Sequence, residues 1–542
     1  MDALSRRTLL KGLSAAAVAG AAGSALGCSA KTTTGTSGRI GADILPTFTQ
    51  AGNAAPALKS ASPLGMSGYF EYPPNPVAAV GKPPLSGGRI SALTYTFDPV
   101  APGKSDNPLW QEVDKRLGGR LDITYAPAAD YAQRFATTVA GGDLPDLVSI
   151  YGSVQQLPAL LKAKFTDLTE YLSGDAVKDY PNLAGLSTDS WRKTVYGNAL
   201  WGVPIARVPI PSVAWIRADL VAGTGLPAQP RDIAEFKALL KGLTNERKSR
   251  WACGDPGSTL TMIAASLGIP GSWIEDGGKF TSNIELEEYE KALADTRELA
   301  DAGVFHPDGL VASNNQRNDW FTNGTTPIVF GGYAGWSKYE MWGAEVPGFK
   351  LGSLPMFGYD AASKPVHPRG SAAQAFTAVT QAEPDRVREV LRVLDWLAAP
   401  FGSSEYLLRN FGIEGQTFKF EGSDPIVNSR GQNLRLVPFG YVCGPTLAIY
   451  DPGRRDVAQA RFDYQEAALP ILAPDPTQGL YSETDAAKGL QLGKDLTDAR
   501  NGILAGRAPV SSWKAAVTKW RNGGGDKIRA EYQQAFSEAG PK

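Results

Sequence analysis

The 542-residue chain carries 54 basic and 55 acidic side chains, with 43% hydrophobic and 20% charged residues. That is globular composition, too long for one small core, with no basic field for nucleic acid and no acidic tail. Its two histidines, His306 and His367, lie far apart, which argues against a His-rich metal site or a His-dependent triad and leaves carboxylate chemistry open.

Ser5-Arg6-Arg7-Thr8-Leu9-Leu10-Lys11 sets an arginine pair just ahead of an apolar run, the pattern of a twin-arginine signal peptide. Leu13 to Gly27 is uncharged and too short to span a bilayer, so it reads as a signal-peptide apolar region. Ala25-Leu26-Gly27-Cys28 resembles a bacterial lipobox, although Ala25 replaces the usual bulky aliphatic residue. The expectation is a signal over 1–27, lipidation at Cys28 and anchoring on the outer face of the cell membrane. The alternative is an ordinary secreted protein with a stray cysteine. Cys253 and Cys443 then remain, either as a disulfide or as two buried thiols.

Residues 28–88 are rich in Gly, Ser, Thr, Ala and Pro and read as a partly disordered tether, with the aromatics of Tyr69-Phe70-Glu71-Tyr72 docking on the body. Order is expected near Arg89. Strands are predicted over 89–97, 121–125 and 147–151 from their β-branched and aromatic runs. Between them, Asn107-Pro108 opens a helix striped by Leu109, Val113 and Leu117 and stopped by Gly118-Gly119. Tyr131, Phe135 and Val139 stripe a second helix. The βαβαβ alternation predicts a parallel sheet covered by helices. Further on, 214–219 reads as a strand entering a helix, and Leu286, Tyr289, Leu293 and Leu299 mark a long helix. Residues 327–332 read as a short strand with a glycine turn. Val387, Val390, Leu391, Leu394 and Leu397 stripe a helix opened by Pro384. Trp396, Trp513 and Trp520 lie on predicted helices and are expected in the core.

Several segments together resemble the extracellular solute-binding proteins of ABC importers, family 1, in its large lipoprotein, oligosaccharide-binding branch. They are Asp130-Tyr131-Ala132-Gln133-Arg134-Phe135 with Gly142-Asp143-Leu144-Pro145-Asp146, then Phe165 to Leu172 and Tyr196-Gly197 to Gly202-Val203-Pro204. Ile216-Arg217-Ala218-Asp219-Leu220 with Gly225-Leu226-Pro227, Phe321-Thr322-Asn323-Gly324, Phe411 to Gly415 and Ile528 to Tyr532 complete the series. The resemblance covers most of 89–540.

The resemblance implies an α/β, two-lobe periplasmic-binding-protein-like (type II) fold with a hinge and an interlobe cleft. Lobe 1 would take 89–205 plus about 366–425, and lobe 2 would take 206–365 plus about 426–542. It also implies a monomer that binds an oligosaccharide and delivers it to an ABC permease, without catalytic residues, cofactor, metal or nucleic-acid partner. Some large members carry a calcium loop, and no Asp-x-Asp-x-Asp-Gly run occurs here. The alternatives are a secreted carbohydrate-active enzyme with a carboxylate pair, or a receptor for a non-sugar solute such as a peptide.

A sugar offers C–H faces to aromatic rings and hydroxyl edges to planar polar groups. Among residues near predicted strand ends and crossovers, the ligand-binding candidates are Trp336, Tyr333, Tyr151, Trp201, Asp98, Arg207, Arg369 and Asp255. Trp336 and Tyr333 rank first, because in the resembled family an aromatic just after the equivalent strand often stacks on sugar.

Overall fold

The computed structural model describes residues 44–52 and 54–539. The signal peptide, Cys28 and the first part of the tether lie outside the described residues.

The first lobe is built on the strand Arg89–Thr96, buried from Ala92 onward on both of its faces. Arg120–Pro127 pairs parallel on one side of it and Leu147–Tyr151 parallel on the other. The chain then leaves and returns: Ala373–Val379 runs antiparallel beside Leu147–Tyr151, and Val203–Ala206 antiparallel beside Ala373–Val379. The expected parallel βαβαβ half is present, and two returning strands make the sheet mixed.

Helix Pro108–Leu117 shows how locally these elements are encoded. The Asn107 side chain accepts the Trp110 N–H, Pro108 takes the first helical position, and Gly118 ends the helix at φ 73°. Leu109, Val113 and Leu117 are buried beneath one face of the sheet with Ile90 and Ala92. Tyr131 and Phe135 cover the other face with Leu93, Tyr95, Val148 and Ile150. The Pro384–Leu397 stripe also enters the first core.

The second lobe has a three-stranded antiparallel sheet with Val213–Arg217 between Ile328–Gly331 and Leu351–Leu354. Helices Ile233–Leu243, Pro256–Ser266 and Glu287–Asp301 bury Phe236, Leu260, Leu293 and Leu299 in its core. Trp513 joins that core, and Trp520 packs in a smaller cluster with Phe280 and Tyr532. The sheets are joined where the chain passes from Ala206 to Val213 and from Leu354 to Ala373.

Two expectations need correction. The tether is docked from Ile44 onward. Ile44 and Leu45 are buried in the first core, the Thr47 N–H donates to Gly174 O, and Ser67–Tyr69 pairs parallel with Ala448–Tyr450. The segment carries enough apolar surface to order itself, with Tyr72 buried among Phe401, Phe411, Phe418 and Tyr450.

Residues 434–443, assigned to the second lobe from sequence, pack in the first core through Leu434, Val437, Phe439, Val442 and Cys443.

Cys253 and Cys443 do not pair. They are buried free thiols in the cores of different lobes, and burial pushes both up to about 12.

Candidate functional site at the interlobe cleft

Open α/β sheets place ligands beyond the carboxyl ends of their strands. At that end of the first sheet, Tyr95, Phe97, Tyr151 and Tyr441 form one aromatic group. Tyr151 stacks on Tyr95 with ring centroids 4.1 Å apart, and Tyr441 lies 5.0 Å from Tyr95 and 5.9 Å from Phe97. Tyr95 is fully buried, whereas Phe97 is 55% exposed, so the group is anchored on the core and open on one side.

Tyr441 comes from the short helix Phe439–Val442, which closes over the sheet. Its carbonyl accepts from the hydroxyls of Thr94 and Ser149, and the Val442 carbonyl accepts from Thr377. Those three hydroxyls sit on adjacent strands, which fixes the helix where Tyr441 reaches the strand ends.

Polar groups border the rings. Arg207, at the start of the first crossover, donates to the Gln374 side chain and lies over the Tyr441 ring at 5.4 Å. Asp98 follows the first strand, and its carboxylate meets the Lys338 ammonium of the other lobe at 3.1 Å. A second contact joins the lobes where the Gln156 N–H donates to Glu483 Oε2 at 3.2 Å.

Asp98, Arg207 and Tyr441 also line a cavity of about 250 Å³, together with Arg409 and Arg435. A larger cavity of about 670 Å³ lies under the N-terminal segment beside the same crossovers, with Phe48, Leu64, Met66 and Phe401 in its wall.

The structure thus brings Tyr151, Asp98 and Arg207 to one place. Trp201 is half-buried behind them; its indole N–H donates to Tyr196 O, and it packs in the first lobe's core.

Tyr333 and Trp336 are placed otherwise, and their reading as stacking platforms is corrected. Tyr333 is fully buried with its hydroxyl donating to Arg461 O, and Trp336 is 3% exposed, edge-on to Trp215 at 4.6 Å. After the Gly331-Gly332 turn the chain coils at once, so 333, 336 and 339 fall on one inward side. Lys338 falls on the outward side. The three-residue spacing of Tyr333, Trp336 and Tyr339 is the signal that marks these aromatics as core.

Arg369, on the second crossover, pairs with Asp189 of the first lobe. Asp255 caps helix Pro256–Ser266 by accepting the Ser258 N–H and pairs with Arg317 at 3.0 Å. Both of these candidates are engaged by protein partners. Tyr441, Arg409 and Arg435 carried no sequence signal, since they reach the site only through the fold.

The family model described as "Bacterial extracellular solute-binding protein" matches residues 102–400. Among curated proteins, the polygalacturonan/rhamnogalacturonan-binding protein YtcQ of Bacillus subtilis is 23% identical over 79% of this chain and 88% of its own. Lipoprotein LipO of the same organism is 20% identical over 83% and 92%. Among solved structures, an HMO-binding, ABC-transporter-associated solute-binding protein from Bifidobacterium longum infantis has a TM-score of 0.63 at 14% identity. It covers 85% of this chain and all of its own. The alginate-binding protein AlgQ2 has a TM-score of 0.60 at 14% identity, covering 85% and 99%. The structural likeness establishes the two-lobed fold. With its family model matched over more than half of its length, the chain belongs to the bacterial extracellular solute-binding proteins.

Proposed function

We propose that this protein receives an oligosaccharide in the interlobe cleft and hands it, unchanged, to the permease of an ABC importer. The observation that carries this is the aromatic group Tyr95, Phe97, Tyr151 and Tyr441, flanked by Arg207 and Asp98 where the lobes meet. Rings exposed beside planar polar groups suit a ligand with C–H faces and hydroxyl edges. Lobe closure around the ligand then presents a changed surface to the permease. The carbohydrate-binding relatives support the ligand class, and the lipoprotein relative supports an anchored receptor. In this reading the chain is exported by the twin-arginine route, lipidated at Cys28 and held as a monomer at the outer face of the membrane.

The test is a thermal-shift screen of residues 29–542 against di- to hexasaccharides, neutral and acidic, and short peptides. A ligand at one hundred times its Kd adds about 2.7 kcal/mol of stability. A shift confined to oligosaccharides supports the proposal; a shift confined to peptides overturns the ligand class.

A further inference from the structure

The 250 Å³ cavity beside the aromatic group has an unusual charge balance. Arg207, Arg409 and Arg435 line it, against Asp98 as the sole lining carboxylate, and Asp98 is already engaged by Lys338. Among the described residues, none of the three arginines has a carboxylate within ion-pair distance. Arg207 donates to the Gln374 side chain and Ala206 O, and Arg435 donates to Asn410 O.

Arg409 is the decisive one. It stands near the end of helix Ser404–Phe411 and is 6% exposed. It donates from Nη1 to Cys443 O at 3.1 Å, and its buried Nε has no hydrogen-bond partner. A buried cation is costly unless an anion and hydrogen bonds satisfy it. A guanidinium fork is matched to a carboxylate or another oxyanion, which it grips through two parallel N–H bonds. Among the described residues no side chain supplies that anion. The cavity is smaller than the roughly 300–1,000 Å³ of a complete ligand site, so it suits one substituent or one sugar of a longer ligand.

We propose that this cavity is an anionic subsite of the cleft, and that the ligand is an oligosaccharide carrying an oxyanion that Arg409, Arg435 and Arg207 receive. This rests on the function proposed above and names the substrate class within it. Tyr441 and Tyr151 then hold the adjoining sugar by its face, while the arginines set the charge. A uronate carboxylate and a sulfate ester share the chemistry the fork recognises, and the experiment separates them.

The experiment titrates residues 29–542 with three oligosaccharide sets of matched length: uronate-containing, sulfated and neutral. Wild type is compared with Arg435→Gln and Arg409→Lys, and thermal melts report folding. The proposal expects one charged set to bind at least tenfold more tightly than the neutral set, with affinity falling as salt rises. It expects Arg435→Gln to remove at least tenfold of that preference. Arg409→Lys keeps the charge and loses the fork, so it weakens the charged set as well. Should that buried replacement fail to fold, the exposed Arg435 variant decides. Equal binding of neutral and charged sets, or an unaltered preference in Arg435→Gln, overturns the anionic subsite and leaves the proposed function standing. Binding of none of the three sets overturns both.

Discussion

The Lys338 ammonium lies 3.1 Å from the Asp98 carboxylate, so an ion pair connects the outward side of a second-lobe helix to the segment just after the first lobe's Arg89–Thr96 strand. The pair is positioned from both sides. Asp98 follows a fully paired strand, and Lys338 sits between the buried Trp336 and Tyr339, next to Ser337, which bonds to Asp451.

Lys338 is largely exposed, so the pair adds about 0–1 kcal/mol to folding and is screened by salt. Its larger effect is on the spacing of the lobes. Lys338→Ala is predicted to leave the melting temperature within about 1–2 °C and to shift the ligand-free protein toward the open form. Small-angle scattering at low and high salt checks this: the wild type should expand with salt, and the variant should already be expanded.

Trp336 and Tyr151 separate stability from binding. Removing the buried Trp336 ring by Trp336→Ala is predicted to cost about 3–5 kcal/mol. Tyr151→Ala, at the half-open strand end, is predicted to cost about 1 kcal/mol and to weaken oligosaccharide binding at least tenfold. Urea denaturation and ligand titration of both variants give the comparison. A Trp336 variant of wild-type stability with lost binding would place that ring at the ligand.

Sequence and structure agree where the signal is local. The Asn107-Pro108 start, the leucine and valine stripe and the Gly118 stop specify one helix almost without tertiary help. The apolar runs at 89–97 and 147–151 likewise give the strands whose ends carry Phe97, Asp98 and Tyr151. Legibility ends where contacts are distant in sequence. Residues 434–443 return to the first core through apolar side chains with no periodic pattern, and with them come Arg435 and Tyr441. Tyr333 and Trp336 show two local rules in conflict. Their place after a strand suggests a binding loop, while their spacing with Tyr339 makes a buried helical face, and packing decides.

Asp395 makes stability depend on pH. Its carboxylate accepts the N–H groups of Asn182 and Leu183 at the start of the short helix Pro181–Ala184. Burial outweighs those bonds and raises it from 3.8 to about 6. Between about pH 4 and 6 the folded protein therefore keeps a proton that the unfolded chain has released. This contribution falls as pH rises through that window, by on the order of 2–3 kcal/mol when complete. Urea midpoints of wild type and Asp395→Asn across this range should show the decline only in the wild type.

Because Cys253 and Cys443 belong to separate cores and both thiols are held neutral by burial, the folded 29–542 form should resist thiol reagents. Both should react in denaturant, and a reductant should leave the melting temperature unchanged. Mass spectrometry showing Cys253 and Cys443 in one linked peptide pair would refute this.

The most direct test of the account is calorimetric titration of residues 29–542 with the best oligosaccharide from the screen, followed by recovery and mass analysis of the sugar. The account predicts saturable one-to-one binding, at least tenfold weaker in Tyr151→Ala, with the sugar recovered intact. Shortened sugar products, or binding indifferent to Tyr151, would contradict a cleft that binds and releases its ligand unchanged.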